Sequence, residues 1–420
     1  MRMRAPAAAA AALLALAGCD DGSGKKADAP AASAEFQAVL QEKLLDAKPG
    51  DVITIPAGTH ALDRSLSLTV SGVTIRGEGM DKSVLTFKGQ IQGAEGLLVN
   101  ASDVVLEDFA IEDTKGDALK VNDGQNIVIR RVRTEWTGGP KTENGAYGIY
   151  PVQTRNVLID GAVAIGASDA GIYVGQSHNV IVRNSRAEYN VAGIEIENTV
   201  GADVHDNLAT NNTGGILVFN MPNLQVAGHG TRVFNNRIVA NNTGNFAAKG
   251  AAVASVPAGT GVIINSNDEV EIFGNEIADN QTGNVIVSSY YSTGYMNKYG
   301  VADAFDPYPE KIHIYGNRFS GGGDSPDGLD LKTLKTVMFG PFGRFPDVIW
   351  DGYANPAKLV GGKLDKAQGI CVDNAGAKVL NVDGPNGYKN PVVDEQAHAC
   401  TLPKLPAITL EFPAAQEGRS

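Results

Sequence analysis

The sequence predicts an all-β solenoid, a parallel β-helix, and three observations support this prediction. A glycine before an apolar–x–apolar strand recurs at intervals of 23, 22, 22, 46 and 22 residues, at Gly148, Gly171, Gly193, Gly215, Gly261 and Gly283. A second short strand follows most of these, and an asparagine or glycine turn comes next. Glycine makes up 50 of 420 residues without a triplet period, which is typical of many tight turns.

Stacking of these turns would supply the hydrophobic core. One turn of about 22 residues cannot bury its own inward side chains, so neighbouring turns must cover them. The alignment predicts one internal ladder, formed by Ile149, Ile172, Ile194, Ile216 and Val262. A β-sandwich would not keep this period, and a leucine-rich repeat would show a leucine pattern that is absent.

Composition limits the classes of function. The chain is 43% hydrophobic and 20% charged, which describes a globular protein. Its formal net charge is −12, and no basic stripe is visible along the sequence. We therefore exclude a nucleic-acid-binding protein.

The N-terminus has the features of an export signal. Arg2 and Arg4 precede an apolar run at residues 7–17, which is shorter than the roughly 20 residues that a membrane-spanning helix needs. The run ends in Leu16-Ala17-Gly18-Cys19, which resembles a bacterial lipobox. We predict a signal peptide at 1–18, lipidation of Cys19, a flexible tether at 19–34 and a periplasmic protein anchored to a membrane. Asp20 favours the inner membrane.

Two caps are predicted at the ends of the solenoid. Apolar residues from Phe36 to Leu45 have helical spacing, and Val52 to Pro56 predicts the first strand, so an N-terminal helix caps a β-helix that spans residues 35–330. The repeat fades beyond Leu331, and residues 331–420 are predicted to form an irregular C-terminal cap. Cys371 and Cys400 lie in this cap. Export to an oxidising compartment predicts a disulfide between them, the alternative being two free buried thiols.

A family resemblance adds to this prediction. Residues 48–59 (KPGDVITIPAGT) resemble the N-terminal coil of pectate-lyase-like right-handed β-helix proteins. With the lipobox, the repeats and Asp306-Pro307-Tyr308-Pro309, the chain resembles bacterial parallel β-helix repeat-containing lipoproteins over about residues 35–330. The resemblance implies a right-handed solenoid. Polysaccharide lyases, hydrolases, uronate epimerases and non-catalytic proteins share this superfamily, and the lipoproteins are often encoded beside a c-type cytochrome-like protein.

Alternation along the strands predicts a candidate binding surface. Because successive side chains of a strand point to opposite sides, the residues after the inward ladder should form an outward ladder. Tyrosine rings stack on sugars and carboxylates accept hydrogen bonds from hydroxyl groups, so this ladder is a candidate saccharide-binding surface; the alternative is an ordinary solvated strand face. The predicted substrate-binding residues are Lys120, Asn122, Tyr150, Tyr173, Glu195, Glu197 and Phe219.

Glu195 and Glu197 occupy alternate positions of one strand, so their carboxylates should lie on the same side, roughly 7 Å apart. They are a candidate Ca²⁺ site, the favoured alternative being a solvated pair. As an acid/base couple they match the separation in glycoside hydrolases, but both would approach a substrate from the same side.

Lys120, Lys141 and Tyr150 are candidate catalytic residues, because a uronate lyase or epimerase needs a base and a group that neutralises the substrate carboxylate. Lys141 lies in a loop, residues 136–147, that lengthens one turn. Asp306-Pro307-Tyr308-Pro309 falls where the resembled alginate epimerases carry Asp-Pro-His-Asp. The missing histidine argues against epimerase activity. An aromatic segment that includes Tyr290, Tyr291 and Tyr308 is predicted to cap the last turns, with a sugar cleft as the alternative.

The sequence therefore leaves two functional hypotheses. One is a lipid-anchored protein that binds or processes a polysaccharide or oligosaccharide along the outer strand face. If it is an enzyme, a polysaccharide lyase or a related carbohydrate-active enzyme is implied. The alternative is a non-catalytic scaffold for the c-type cytochrome-like partner, with the same tyrosines as interface anchors.

Overall fold

The computed structural model describes residues 33–294, 296, 300–301, 304–394 and 396–412. The predicted signal peptide, Cys19 and nearly all of the predicted tether lie outside these residues. The domain boundaries at residues 18, 34 and 330 stay predictions.

The described chain forms the predicted right-handed parallel β-helix. Twenty-nine strands of the described residues join in one continuous sheet, in which the pairing between turns is parallel except at the C-terminal edge, where β30 (Val379–Asn381) and β31 (Val392–Asp394) run antiparallel. Two further strands, β27 (Leu359–Val360) and β28 (Lys363–Leu364), form a separate antiparallel pair. The first strands are β1 (Val52–Thr54), β2 (Gly58–Ala61), β3 (Arg64–Leu68), β4 (Thr74–Arg76), β5 (Ser83–Thr86), β6 (Gln92–Val99), β7 (Val104–Glu112), β8 (Leu119–Glu135), β9 (Tyr147–Asp160) and β10 (Val163–Ile165).

The most regular turns contain three strands each. They comprise β11 (Ala170–Gly175), β12 (His178–Arg183), β13 (Arg186–Glu188), β14 (Ala192–Glu197), β15 (Val200–His205), β16 (Leu208–Thr210), β17 (Gly214–Phe219), β18 (His229–Phe234), β19 (Arg237–Val239), β20 (Thr260–Asn265), β21 (Asp268–Phe273), β22 (Glu276–Ala278), β23 (Gly283–Ser288), β24 (Ile312–Tyr315) and β25 (Arg318–Ser320). The last strands are β26 (Val348–Trp350), β27 (Leu359–Val360), β28 (Lys363–Leu364), β29 (Ile370–Asp373), β30 (Val379–Asn381) and β31 (Val392–Asp394).

The inward ladder is confirmed. Ile172 aligns with Ile149 and Ile194, and the alignment continues through Ile216 to Val262. All five side chains are fully buried in the solenoid core. The apolar periodicity of the sequence therefore encodes the contact between successive turns.

The recurring glycine is required because adjacent turns approach closely at this position. A Cβ at Gly193 would lie 2.5 Å from the carbonyl oxygen of Gly215, and a Cβ at Gly261 would lie 2.4 Å from that of Asn284. No side chain fits at such a distance without moving the backbone. The period of the sequence thus follows from sterics between turns.

The asparagines of the turns form two buried ladders. Asn207, Asn236, Asn275 and Asn317 make one, and Asn190, Asn212, Asn241 and Asn280 make the other. The Asn236 amide donates to Asn275 Oδ1 at 3.0 Å and to the carbonyl of Val204 at 2.9 Å. Each amide thereby satisfies backbone groups that a bend in the strand leaves unpaired.

An α-helix, α1 (Ala34–Leu45), covers the first turn as predicted. The Ser33 hydroxyl caps it by accepting a hydrogen bond from the Phe36 amide at 3.3 Å. Leu40 and Leu44 are buried against the core of the solenoid. The N-terminal edge is therefore covered, as an open sheet edge requires.

Parallel stacking continues into the C-terminal region. Val348 of β26 pairs with Val285 on one side and with Val379 of β30 on the other. A second helix, α2 (Leu329–Phe339), precedes these strands, and five short 3₁₀ helices occur at Ala252–Ser255, Tyr290–Thr293, Pro356–Lys358, Lys366–Gln368 and Gly384–Asn386. The disulfide between Cys371 and Cys400 is present, which confirms that prediction. None of the helices in the described residues is long and apolar enough to span a membrane.

Residues 404–412, which we term the C-terminal strap, run back along the outer surface of the solenoid. Lys404 Nζ lies 5.6 Å from the centroid of the Tyr315 ring in β24. The Ile408 amide donates to Asp203 Oδ2 in β15 at 3.1 Å. Further along, Phe412 packs in a cluster with Val105, Val128 and Leu158. The strap therefore contacts turns that are distant from one another in the stack.

Candidate functional site

The strand register brings the predicted outward ladder together. Lys120 pairs with Tyr150, and Tyr173 pairs with Glu195, which in turn pairs with Leu217. Two positions further along, Glu197 lies between Gly175 and Phe219. The ladder is continuous over these turns, so residues far apart in sequence form one surface.

This surface is less solvated than the sequence suggests. Tyr173 is 4% exposed, Glu195 2% and Phe219 5%. The prediction of a solvated Glu195–Glu197 pair is therefore wrong, and Tyr173 is not a free surface tyrosine. One reason is the insertion between β19 and β20: Val253 and Val256 from this insertion share one buried cluster with Tyr173 and Phe219.

Three tyrosine rings meet at the start of the ladder. The ring centroid of Tyr147 lies 4.4 Å from that of Tyr150 and 4.7 Å from that of Tyr173. The centroids of Tyr150 and Tyr173 are 4.9 Å apart. Tyr147 ends the long loop at 136–147. Burial, together with the charge of Asp117, raises the pKa of Tyr150 to about 12. Tyr150 therefore keeps its proton near neutral pH and is better suited to donate than to accept one.

Four carboxyl groups, those of Asp117, Asp169, Glu195 and Glu197, surround these rings. Tyr173 Oη donates to Glu197 Oε1 at 2.7 Å, and Tyr147 Oη lies 3.5 Å from Asp169 Oδ2. Burial and then the charge of Glu197 raise the pKa of Asp169 to about 7. Burial also raises the pKa of Glu195 well above its ordinary value, and its Oε2 has no hydrogen-bond partner among the described residues. Burial raises the pKa of Glu197 as well, although the hydrogen bond from Tyr173 opposes this.

Lys120 places a positive charge beside these carboxyl groups and tyrosine rings. Its Nζ lies 3.7 Å from Asp117 Oδ2 and 4.7 Å from the centroid of the Tyr150 ring. Burial raises the pKa of Asp117, and the charge of Lys120 partly offsets this. We call the group the acid–tyrosine cluster; it consists of Asp117, Lys120, Tyr147, Tyr150, Asp169, Tyr173, Glu195 and Glu197.

Other predicted site residues lie at different distances from this cluster. Asn122 is half-buried at the edge of the ladder, where its amide donates to Asn100 Oδ1 at 3.2 Å. Lys141 is exposed in its loop, and within the described residues no hydrogen bond or ion pair joins it to the cluster. The structure thus groups Lys120 and Tyr150, but not Lys141, with the carboxyl groups.

Sequence reasoning missed Asp117 and Asp169. Both lie in turns just before the strands, outside the alternation that predicted the outward ladder. Asp117 precedes Leu119 by two residues, as Tyr147 precedes Ile149, and Leu119 pairs with Ile149. The alignment of the repeats therefore contained a signal for Asp117. Asp169 offered none, because its position depends on the path of the turn.

Beyond the cluster, the same ladder positions become apolar. Leu217, Ile263 and Ile286 succeed one another in register. A cavity of about 200 Å³ lies against Phe219, Ile263 and Ile286, with Tyr290 among its walls. Since Phe219 pairs with Glu197, this cavity begins one strand away from the carboxyl groups.

The aromatic segment after β23 packs largely against the C-terminal region. Tyr291 lies 5.7 Å from Tyr308 and 5.0 Å from Tyr353, measured between ring centroids. These contacts fit the predicted capping role, whereas Tyr290 lines the cavity. Outside the cluster, His313 points outward from β24 but is buried, and burial lowers its pKa.

Asp203 does not join the carboxylates of Glu195 and Glu197. Asp203 lies on the next strand of the turn and accepts a hydrogen bond from Arg232 Nε at 2.7 Å. Among the described residues, a group of three acids with ligand atoms within 4.8 Å of one another occurs elsewhere, at Asp268, Asp306 and Glu310.

The fold and this site define a right-handed β-helix protein with a cluster of ionisable groups on one outer strand face. A sequence model described as the right-handed beta helix region matches residues 63–229. The pre-neck appendage protein of Bacillus phage B103 is 24% identical over 224 residues, which cover 43% of this chain and 26% of that protein. The matched part thus spans about a quarter of this curated relative.

Solved structures with the same fold include two enzymes. The A-module of mannuronan C-5 epimerase AlgE4 from Azotobacter vinelandii matches with a TM-score of 0.50 and 17% identity, over 81% of this chain and 90% of that one. A variant of DFA-IIIase from Arthrobacter chlorophenolicus A6 matches with a TM-score of 0.50 and 12% identity, over 83% and 80% respectively. At these identities the likeness shows the fold.

Proposed function

We propose that the protein binds a neutral carbohydrate at the acid–tyrosine cluster and processes it by general acid catalysis. The observation that carries this proposal is the environment of Asp169, whose pKa burial raises to about 7 beside Glu197. A general acid works best when its pKa lies near the working pH. Asp169 would donate the proton, and Glu197 would act as its partner carboxylate.

The chemistry of the cluster suits a saccharide. Tyrosine faces stack on sugar rings, and carboxylates accept hydrogen bonds from sugar hydroxyl groups. Hydrolysis of a glycosidic bond uses two carboxyl groups in different protonation states. Asp169 and Glu197 come from different turns of the solenoid, so they avoid the same-strand arrangement that argues against Glu195 and Glu197 as a couple.

The charges favour a neutral ligand. Four carboxyl groups face a single lysine in the cluster, and the chain carries a net charge of −12. A polyuronate would be repelled by Glu197 and its neighbours. A lyase or an epimerase also needs a base. Because its pKa is raised to about 12, Tyr150 keeps its proton near pH 7 and does not act as that base. A hydrolase or a glycosyl-transferring enzyme is therefore favoured over a lyase.

A screen of the purified protein against neutral and anionic glycans, for binding and for cleavage, tests this proposal. We expect a neutral glycan to bind and to be cleaved, with a rate that falls as the pH rises above about 7, where Asp169 loses its proton. Asp169→Asn and Glu197→Gln should each lower the rate by about 10² to 10⁴.

Asp324→Asn is the matched control, because it removes an exposed carboxylate outside the cluster. If Asp169→Asn cleaves the glycan at the same rate as the wild type, Asp169 is not the general acid. If no glycan binds, and a redox partner is instead captured by the wild type, the scaffold hypothesis replaces this one.

We also propose that the protein is exported and held at a membrane by a lipid on Cys19. The charged start and apolar run before Cys19 support this, and so does a disulfide between the remaining two cysteines, because disulfides persist in oxidising compartments. Mass spectrometry of membrane fractions should find a diacylated Cys19 at the N-terminus. An unmodified Cys19 in those fractions would rule the anchor out.

A further inference from the structure

Three carboxylates meet at the corner between two successive turns, away from the acid–tyrosine cluster. Asp268 begins β21, Glu310 lies just before β24, and Asp306 lies on the segment that leads to Glu310. Their ligand oxygens lie within 4.8 Å of one another. The Glu310 amide donates to Asp268 Oδ1 at 3.0 Å, and the Tyr308 amide donates to Asp306 Oδ1 at 3.1 Å. Backbone hydrogen bonds thus orient two of the carboxylates.

A second observation indicates that the group can bind a cation. Glu310 is only 2% exposed, and its Oε1 is buried with no hydrogen-bond partner among the described residues. A buried oxygen without a hydrogen bond destabilises the fold, and more strongly when it carries charge. A carboxylate oxygen in this state is expected where an ion completes its surroundings.

Lys358 neutralises only part of this charge. Its Nζ contacts Glu310 Oε2 and lies 3.8 Å from Asp306 Oδ2. Lys358 therefore contacts two of the three carboxylates, and the nearby Lys311 is ion-paired with Glu269. Negative charge at this corner remains in excess.

There is room for the other ligands of an ion. A cavity of about 410 Å³ is lined by Asp268 and Asp306, with Asn198 and His229 among its walls. Water molecules in this cavity could fill coordination positions that the three carboxylates leave open. The donors are all oxygens, which hard cations prefer, and Ca²⁺ accepts irregular shells of six to eight ligands.

We propose that Asp268, Asp306 and Glu310 bind one Ca²⁺ ion. The site would join the start of β21 to the segment before β24, so it would fix the chain that returns after β23 against the preceding turn. Asp306-Pro307-Tyr308-Pro309 would then be a ligand-bearing loop. Lys358 would compete with the ion, because its ammonium group contacts two of these carboxylates, those of Asp306 and Glu310.

Isothermal titration with CaCl₂ of EDTA-treated, dialysed protein at pH 7.5 tests the proposal, together with the thermal midpoint with and without Ca²⁺. We expect one bound Ca²⁺ and a raised midpoint in the wild type. Asp268→Asn and Glu310→Gln should each weaken the affinity at least tenfold, whereas Asp324→Asn should not change it. Lys358→Met should tighten binding at least threefold, because it removes the competing charge.

The Lys358 variant separates a cation site from a simple ion-pair network. If the three acids serve only to hold the lysine, Lys358→Met will lower the midpoint and Ca²⁺ will not restore it. That result, an absence of Ca²⁺ binding by the wild type, or unchanged affinity in both Asp268→Asn and Glu310→Gln would overturn the proposal. The Glu310 and Lys358 variants decide the matter if Asp268→Asn does not fold.

Discussion

Asp169 should make the stability of the protein depend on pH, and Asp169→Asn should remove its contribution to this dependence. Its pKa rises from an ordinary value of 3.8 to about 7 in the fold, which corresponds to about 4 kcal/mol at 1.4 kcal/mol per tenfold change in proton affinity. The side chain is half-buried, and screening by water reduces this to about 2–4 kcal/mol.

The sign follows from proton linkage. Because the folded state binds this proton more tightly than the unfolded chain does, the associated stability is complete below about pH 4 and is lost as the pH rises through 7. The wild type should therefore lose stability over this range more steeply than Asp169→Asn. The asparagine can still accept the hydrogen bond from Tyr147, so little else changes.

Urea unfolding at pH 4, 5, 6, 7 and 8, followed by far-ultraviolet circular dichroism, measures the effect. The free energy of unfolding of Asp169→Asn, relative to the wild type, should increase by about 2–4 kcal/mol from pH 4 to pH 8. Asp324→Asn should follow the wild type throughout. A difference between wild type and Asp169→Asn that stays constant with pH would refute the burial argument.

Three further predictions concern stability. Tyr173→Phe removes the hydrogen bond to Glu197 and should cost about 1–3 kcal/mol in urea unfolding, while the exposed Tyr189→Phe should cost nothing measurable; equal effects would contradict this. Asn236→Ala interrupts a buried ladder and should cost about 2–4 kcal/mol, and a loss below 1 kcal/mol would show that the ladder adapts. Cys371→Ser should cost about 2–4 kcal/mol through the C-terminal region while most turns stay folded, and native protein whose two thiols are alkylated would refute it.

The sequence predicted those features that depend on contacts between equivalent residues of successive turns. The inward ladder from Ile149 to Val262 and the glycines before it are visible as a period, because every turn meets the same steric requirement. The outward register from Lys120 to Glu197 follows from the same alignment. Recurrence of Asn207 and Asn275 was also visible, but their burial in a ladder was not, since turn asparagines are usually solvated.

The environment of the site could not be predicted in the same way. The insertion that carries Val253 and Val256 interrupts the period, so its path over the outer face leaves no repeating signal. Without that path, Tyr173 and Glu195 look like ordinary solvent-facing positions. Burial is the main cause of the raised pKa values at Asp169 and Glu195, and burial depends on packing that the repeat alone does not specify.

The C-terminal strap has a consequence for the order in which the protein assembles. Its contacts extend from Tyr315 in β24 to Val105 in β7, so it cannot dock before these turns are stacked. Synthesis delivers the strap after all of these turns, and the disulfide at Cys400 then anchors it to β29. A solenoid otherwise unravels from either end one turn at a time, because each turn contacts only its neighbours. A docked strap joins distant turns into one unit. Because it can dock only after those turns are stacked, it stabilises the folded solenoid and not its partly stacked intermediates.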